Sequence, residues 1–143
     1  IHTMMEDGVR PFCPDLASRG SVFCSLSHDR RFAVAVGGGE PMGIDVEFLS
    51  GRVLRARHLY MGETESTLAD RSPLGVPAAA LRVWSIKEGV TKALDMPIGE
   101  AWQRVRVRNI GEHESRLTVD GEHFAAFHDT VDDHVFTLVK RES

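Results

Sequence analysis

The sequence predicts an α+β fold in which an antiparallel sheet packs on one long helix. Three observations carry this expectation. Ala78–Leu94 is a proline-free stretch of helical composition that opens on Ala-Ala-Ala and stops short of Pro97. The last third of the chain alternates with period two, Val105 and Val107 being interleaved with Arg104, Arg106 and Arg108. Asp120-Gly121, between Arg116–Val119 and His123–Phe127, is a strong two-residue hairpin signal.

The remaining elements follow in chain order. Residues 6–20 are rich in Pro, Gly and Asp and read as loop. Val22–Ser25 and Phe32–Val36 are short apolar runs that read as a hairpin around the polar turn Ser27-His28-Asp29-Arg30. Gly37–Pro41 is a second turn, and Met42–Phe48 returns as a third strand. Arg52–Tyr60 has helical composition, and Gly62–Ala69 reads as a short helix opened by Thr64. Ser72–Pro77 holds two prolines and breaks the chain before the long helix. Val135–Val139 closes the fold as a last strand.

With 143 residues, the chain has room for one domain with a real core. Its 42% apolar and 27% charged residues are ordinary for a globular protein. No apolar run approaches the roughly 20 residues that cross a bilayer, and Ile-His-Thr-Met-Met carries no signal-peptide pattern. The expected location is cytoplasmic, with no membrane partner. A formal net charge of −4 argues against general nucleic-acid binding. Cys13 and Cys24 have no CxxC spacing and read as two thiols in a reducing compartment, a single disulfide being the alternative.

Two segments carry chemistry. In Gly43-Ile44-Asp45-Val46-Glu47, strand periodicity puts Asp45 and Glu47 on one face and Ile44 and Val46 on the other. The apolar face can enter the core, leaving two carboxylates side by side. Adjacent like charges call for a hard cation with oxygen ligands, and Mg²⁺ suits a site of few carboxylates plus phosphate and water. A solvated strand face is the plainer alternative. In Trp84-Ser85-Ile86-Lys87-Glu88-Gly89-Val90-Thr91-Lys92, helical spacing aligns Trp84, Glu88 and Lys92 in one stripe. Glu88 is then available as a third carboxylate and Lys92 as a phosphate partner; a surface ion pair beside a buried Trp is the alternative.

Taken together, G-I-D-x-E followed by W-S-x-K-E-x-x-x-K resembles the signature of the 4'-phosphopantetheinyl transferase superfamily. Ser25-Leu26-Ser27-His28 is similar to the S-x-S-H element of its Sfp-type branch, and Gly8–Leu16 to that branch's G-[KR]-P…P-D-L stretch, with Val9 inserted. The resemblance runs from about Gly8 to Val139. It implies that family's fold and an Mg²⁺-dependent transfer of phosphopantetheine from coenzyme A to a serine of an acyl or peptidyl carrier protein. It implies Asp45, Glu47 and Glu88 as magnesium ligands and Lys92 as the lysine on the coenzyme A pyrophosphate, with Lys87 beside it. Ser27 and His28 would lie near the coenzyme A phosphates, and Gly8, Arg10 and Pro11 in the loop bordering the adenine. Glu88 is the first candidate for the base that takes the serine proton, and Glu47 the second.

The loop after the helix, Ala93–Pro97, departs from the glycines common in the family. Sfp-type enzymes are pseudo-dimers, so the resemblance implies one transferase domain over residues 1–143 that lacks most of the first half. A second copy filling that gap, as in a homo-oligomer, is the other expectation. Carrier proteins are typically acidic, and Arg52 and Arg55 share a helical face suited to dock one; Arg104, Arg106 and Arg108 are a weaker candidate. The rival reading is a metal- or coenzyme-A-binding fragment without catalysis.

Overall fold

One helix organises the protein, and a five-stranded sheet lies along it. The computed structural model describes residues 22–143, together with two short paired strands, β1 (Met4–Met5) and β2 (Pro11–Phe12). Strand β2 thus falls inside the stretch read as loop. Gly8 and Arg10 lie outside the described residues.

Strands β3 (Phe23–His28) and β4 (Ala33–Gly38) form an antiparallel hairpin. Strand β5 (Met42–Phe48) follows. The predicted helix over Arg52–Tyr60 is two short pieces, α1 (Gly51–Arg55) and α2 (Arg57–Tyr60), joined at Ala56. Helix α3 (Glu63–Asp70) is opened by Gly62 rather than Thr64: the Gly62 N–H donates to Glu65 Oε1 at 2.9 Å. Helix α4 spans Val76–Leu94, two residues earlier than expected, because Pro77 is tolerated in a first turn whose N–H groups have no helical partner. A further helix, α5 (Ile98–Arg104), starts directly after Pro97.

The C-terminal strands are β6 (Val105–Asn109), β7 (Glu114–Val119), β8 (Glu122–Val131) and β9 (His134–Arg141). All neighbours pair antiparallel in the order β5-β9-β8-β7-β6. Asp120 and Gly121 both have positive φ, 51° and 85°, as a type I′ hairpin turn needs. A second such turn, Asp132-Asp133 (φ 47° and 62°), joins β8 to β9. It lacks a glycine, which hides it from the sequence; aspartate tolerates the left-handed region better than most residues.

The core lies between the sheet and α4. Val105, Val107, Leu117, Val119, Phe124, Ala126, Val135 and Val139 pack against Leu81, Val83, Ile86 and Val90. On the helix's other side, Val53, Tyr60, Met61 and Ala69 cover it from α1–α3. Between Ala79 and Ala93 every helix position is buried except Trp84, Glu88 and Lys92.

Strand β5 departs from expectation. Cross-strand register aligns Gly43, Asp45 and Glu47 with Val139, Thr137 and Val135, which face α4. The carboxylate face is therefore the one turned to the helix. Ile44 and Val46 are buried on the opposite face, where the β3–β4 hairpin lies and Phe32 meets Phe136 edge to face. The turn expected at Ser27–Arg30 is also shorter, since β3 continues through His28. The Ile44 N–H donates to Ser25 Oγ at 3.0 Å and the Val46 N–H to Ser27 Oγ at 3.1 Å. These bonds hold the serines in extended backbone along the edge of the sheet.

Glycine brings strand and helix into contact. A Cβ on Gly43 would lie 1.9 Å from the Gly89 carbonyl oxygen and 2.9 Å from Ala93 N. Both obstacles are backbone, so no side chain can yield. Gly43→Ala is expected to lower folding stability by about 3 kcal/mol through overpacking. The check is the urea midpoint, with the slope of the transition unchanged.

Candidate active site

The close approach at Gly43 and Gly89 sets Glu88 and Ser85 of α4 over Asp45 and Glu47 of β5. Asp45 is only 3% exposed. Its Oδ2 accepts from Ser85 Oγ at 2.8 Å, and its Oδ1 takes Lys92 Nζ at 3.4 Å and a long bond from Ser27 Oγ at 3.5 Å. Lys92 Nζ also donates to the Ile44 carbonyl at 2.9 Å. One carboxylate thus ties together β3, β5 and two turns of α4, at Ser85 and Lys92.

Glu47 and Glu88 are half-buried nearby. Burial, then the Asp45 charge, pushes the Glu47 carboxyl up to about 8, with a smaller push from Glu88. Burial and Asp45 also raise Glu88, against the opposing pull of Lys92. Burial raises Asp45 itself, opposed first by Lys92 and then by Ser85. Trp84 Nε1 is buried and makes no hydrogen bond of good geometry, yet the indole still counters part of the Glu47 shift. The indole is otherwise fixed by Tyr60, edge to face at 5.1 Å.

These groups open on a cleft of roughly 540 Å³ whose lining includes Ser27, His28, Asp29, Glu47, Phe48, Arg52, Trp84 and Glu88. His28 and Arg52 are exposed there. The structure therefore brings Ser27, His28, Asp45, Glu47, Glu88 and Lys92 to one place from three elements.

It does not bring Lys87 there. Lys87 is fully buried on another face of α4, where Nζ meets Glu65 Oε1 at 2.8 Å and also donates to the Tyr60 carbonyl. Glu65 Oε2 accepts from the Val107 N–H at 2.9 Å. The adjacency of Lys87 and Glu88 in sequence separates them by about 100° around a helix, so one enters the core when the other faces the cleft. Sequence reasoning missed Glu65 and Ser85, both buried polar residues. Their signal was faint: Glu65 follows Gly62 by three positions in capping-box fashion, and Ser85 is one helical turn before Glu88.

Among the described residues, no three His, Cys, Asp or Glu side chains are grouped closely enough to share a metal ion as they stand. The charge that meets Asp45 is the Lys92 ammonium. The donor chemistry nevertheless suits a hard cation: three carboxylates raise one another's cost of ionisation, and all offer oxygen. Arg104 ends α5 and is committed to Asp120 and Glu100, so it is not part of an open strand face. No helix among the described residues is long and apolar enough to cross a membrane.

A family model described as the 4'-phosphopantetheinyl transferase superfamily matches residues 41–139, more than half of the chain. No curated protein matches it.

Two expectations follow from these geometries. Removing one partner of a buried ion pair strands the other, so Lys87→Met is expected to cost about 3–5 kcal/mol of stability, read from chemical denaturation. Glu47 has a folded-state pKa above its unfolded value, so between about 4.5 and 8 the folded state holds the extra proton. Stability in metal-free buffer should therefore fall as pH rises through that window and level off above it. Thermal melts in EDTA across the range measure this, with Glu47→Gln expected to flatten the slope.

Proposed function

The chain belongs to the 4'-phosphopantetheinyl transferase superfamily, and we propose that it transfers the 4'-phosphopantetheine arm of coenzyme A to a serine of an apo acyl or peptidyl carrier protein, releasing 3',5'-ADP. The observation that carries this reading is the convergence of Asp45, Glu47 and Glu88 beside one cleft with Ser27 and His28. The Ser25-Leu26-Ser27-His28 strand supports the Sfp-type branch, because Ser27 and His28 line that cleft.

The chemistry is a displacement at phosphorus. The carrier serine oxygen forms the new P–O bond, the bond to 3',5'-ADP breaks, and the serine proton must leave. Positioning and charge neutralisation supply most of the catalysis in such reactions. Mg²⁺, when bound, neutralises pyrophosphate charge, and Asp45, Glu47 and Glu88 are the oxygen ligands that would hold it. Lys92 supplies a positive charge one helical turn beyond Glu88, suited to the leaving phosphate. Glu88 is half-buried at the cleft wall, and its raised pKa makes it a better proton acceptor than an exposed carboxylate. Arg52 and Arg55 are exposed, Arg52 at the cleft itself, and offer an acidic carrier a landing place.

Incubating the chain with coenzyme A, Mg²⁺ and an apo carrier should add one phosphopantetheine to the carrier mass. Glu88→Gln is expected to lower kcat by about 100-fold or more while changing coenzyme A affinity, measured by calorimetry, far less. No mass gain with the unmodified protein would defeat the catalytic reading and leave the binding fragment. Arg52→Glu with Arg55→Glu should raise the carrier KM about tenfold, and added salt should weaken the unmodified protein in the same direction.

A further inference from the structure

The tip of the β3–β4 hairpin is fastened to the β8–β9 turn by His134. This ring is 6% exposed. Its Nε2 is 2.7 Å from Asp29 Oδ2, and its Nδ1 is 2.9 Å from the Asp132 carbonyl oxygen. The ring thus has an oxygen partner at each nitrogen, one from each turn. Asp29 is itself fully engaged: Oδ1 accepts the N–H groups of Arg31 and Phe32, each at 2.8 Å. Those backbone bonds, more than the histidine, hold its carboxyl below the usual range. Arg31 reaches back to Asp132 in a second bridge between the same two turns. Two rings complete the packing, Phe32 edge-on to His134 at 4.8 Å and Phe48 tilted against it at 5.1 Å.

The position of this clasp gives it a role. Asp29 directly follows Ser27 and His28, and Phe48 directly follows Glu47; all five line the same cleft. His134 touches Asp29 and Phe48 but does not itself line that cleft. The hairpin meets β5 through the serine hydroxyl bonds to Ile44 and Val46, with no backbone ladder between the two sheets. A strand held by so few polar bonds needs a fixed end. The geometry points to His134, acting through Asp29, as a positioning residue that sets Ser27 and His28 against Glu47 for the coenzyme A phosphates. This rests on the reading of the cleft as the coenzyme A site.

The test compares unmodified protein, His134→Ala and Asp29→Asn. Asp29→Asn keeps the oxygen that caps the turn and can still pair with the ring through its amide, so it serves as the conservative variant. Hydrogen exchange at the Ile44 and Val46 amides is expected to quicken about tenfold in His134→Ala and less than threefold in Asp29→Asn. The coenzyme A KM should rise about tenfold in His134→Ala, with kcat within threefold of the unmodified protein and carrier KM unchanged. Unchanged exchange in His134→Ala overturns the clasp. Faster exchange with an unchanged coenzyme A KM, or a fall in kcat alone, overturns its positioning role. If the unmodified protein binds no coenzyme A in calorimetry, the reading of the cleft fails and the role toward coenzyme A fails with it. The exchange result then still decides whether His134 holds the hairpin.

Discussion

The structure depends on a contact between two backbones. Gly43 of β5 approaches the Gly89 carbonyl of α4 so closely that it has no room for a side chain, and a Cβ on Gly89 would itself stand 2.7 Å from the Val139 side chain. Packed at ordinary distance, a helix and a sheet leave room for a full layer of side chains between them. Here that layer is missing at one point, and the functional groups stand beside the gap. Glu88 precedes Gly89, and Asp45 lies two residues along the strand from Gly43. The short separation lets a carboxylate on the strand reach a serine and a lysine on the helix without long, mobile side chains.

The same helix resolves two lysines in opposite ways. Lys87 enters the core and meets Glu65, which also accepts backbone N–H groups from Gly62 and Val107. That pair fastens α3, α4 and β6 together, and its buried charges are acceptable because nearly every lone pair and proton has a partner. Lys92 keeps some exposure and meets Asp45 at a longer distance. The more loosely held pair lies behind Glu47 and Glu88, which line the cleft.

Much of this was legible in the sequence. The long helix, the Asp120-Gly121 hairpin and strand β5 are local patterns, and local patterns survive folding when propensity and packing agree. The stripe of Trp84, Glu88 and Lys92 was legible for the same reason. The orientation of β5 was not. Alternation showed which residues share a face, but an apolar face was assumed to seek the core, whereas both faces of this strand are covered. The extension of β3 through Ser27 and His28 was also hidden, because these polar residues pair with Val34 and Ala33 of β4 instead of turning. Lys87 was misplaced because a motif preserves order along the chain, not direction around a helix. The expectations on Gly8 and Arg10 lie outside the described residues.

The serine hydroxyls along β5 have a consequence for self-association. An edge strand with a flat row of open amides invites a strand from another molecule to add to it. On β5 the Ile44 and Val46 amides are already taken by the Ser25 and Ser27 hydroxyls of β3, a strand that forms no backbone ladder with β5. The far edge, β6, is blunted by different means: its pairing with β7 slips in register after Val107, and Arg106 and Arg108 stand exposed along it. Among the described residues the sheet ends at five strands. Its two ends resist amyloid-like growth by unrelated chemistry, so losing one safeguard leaves the other intact.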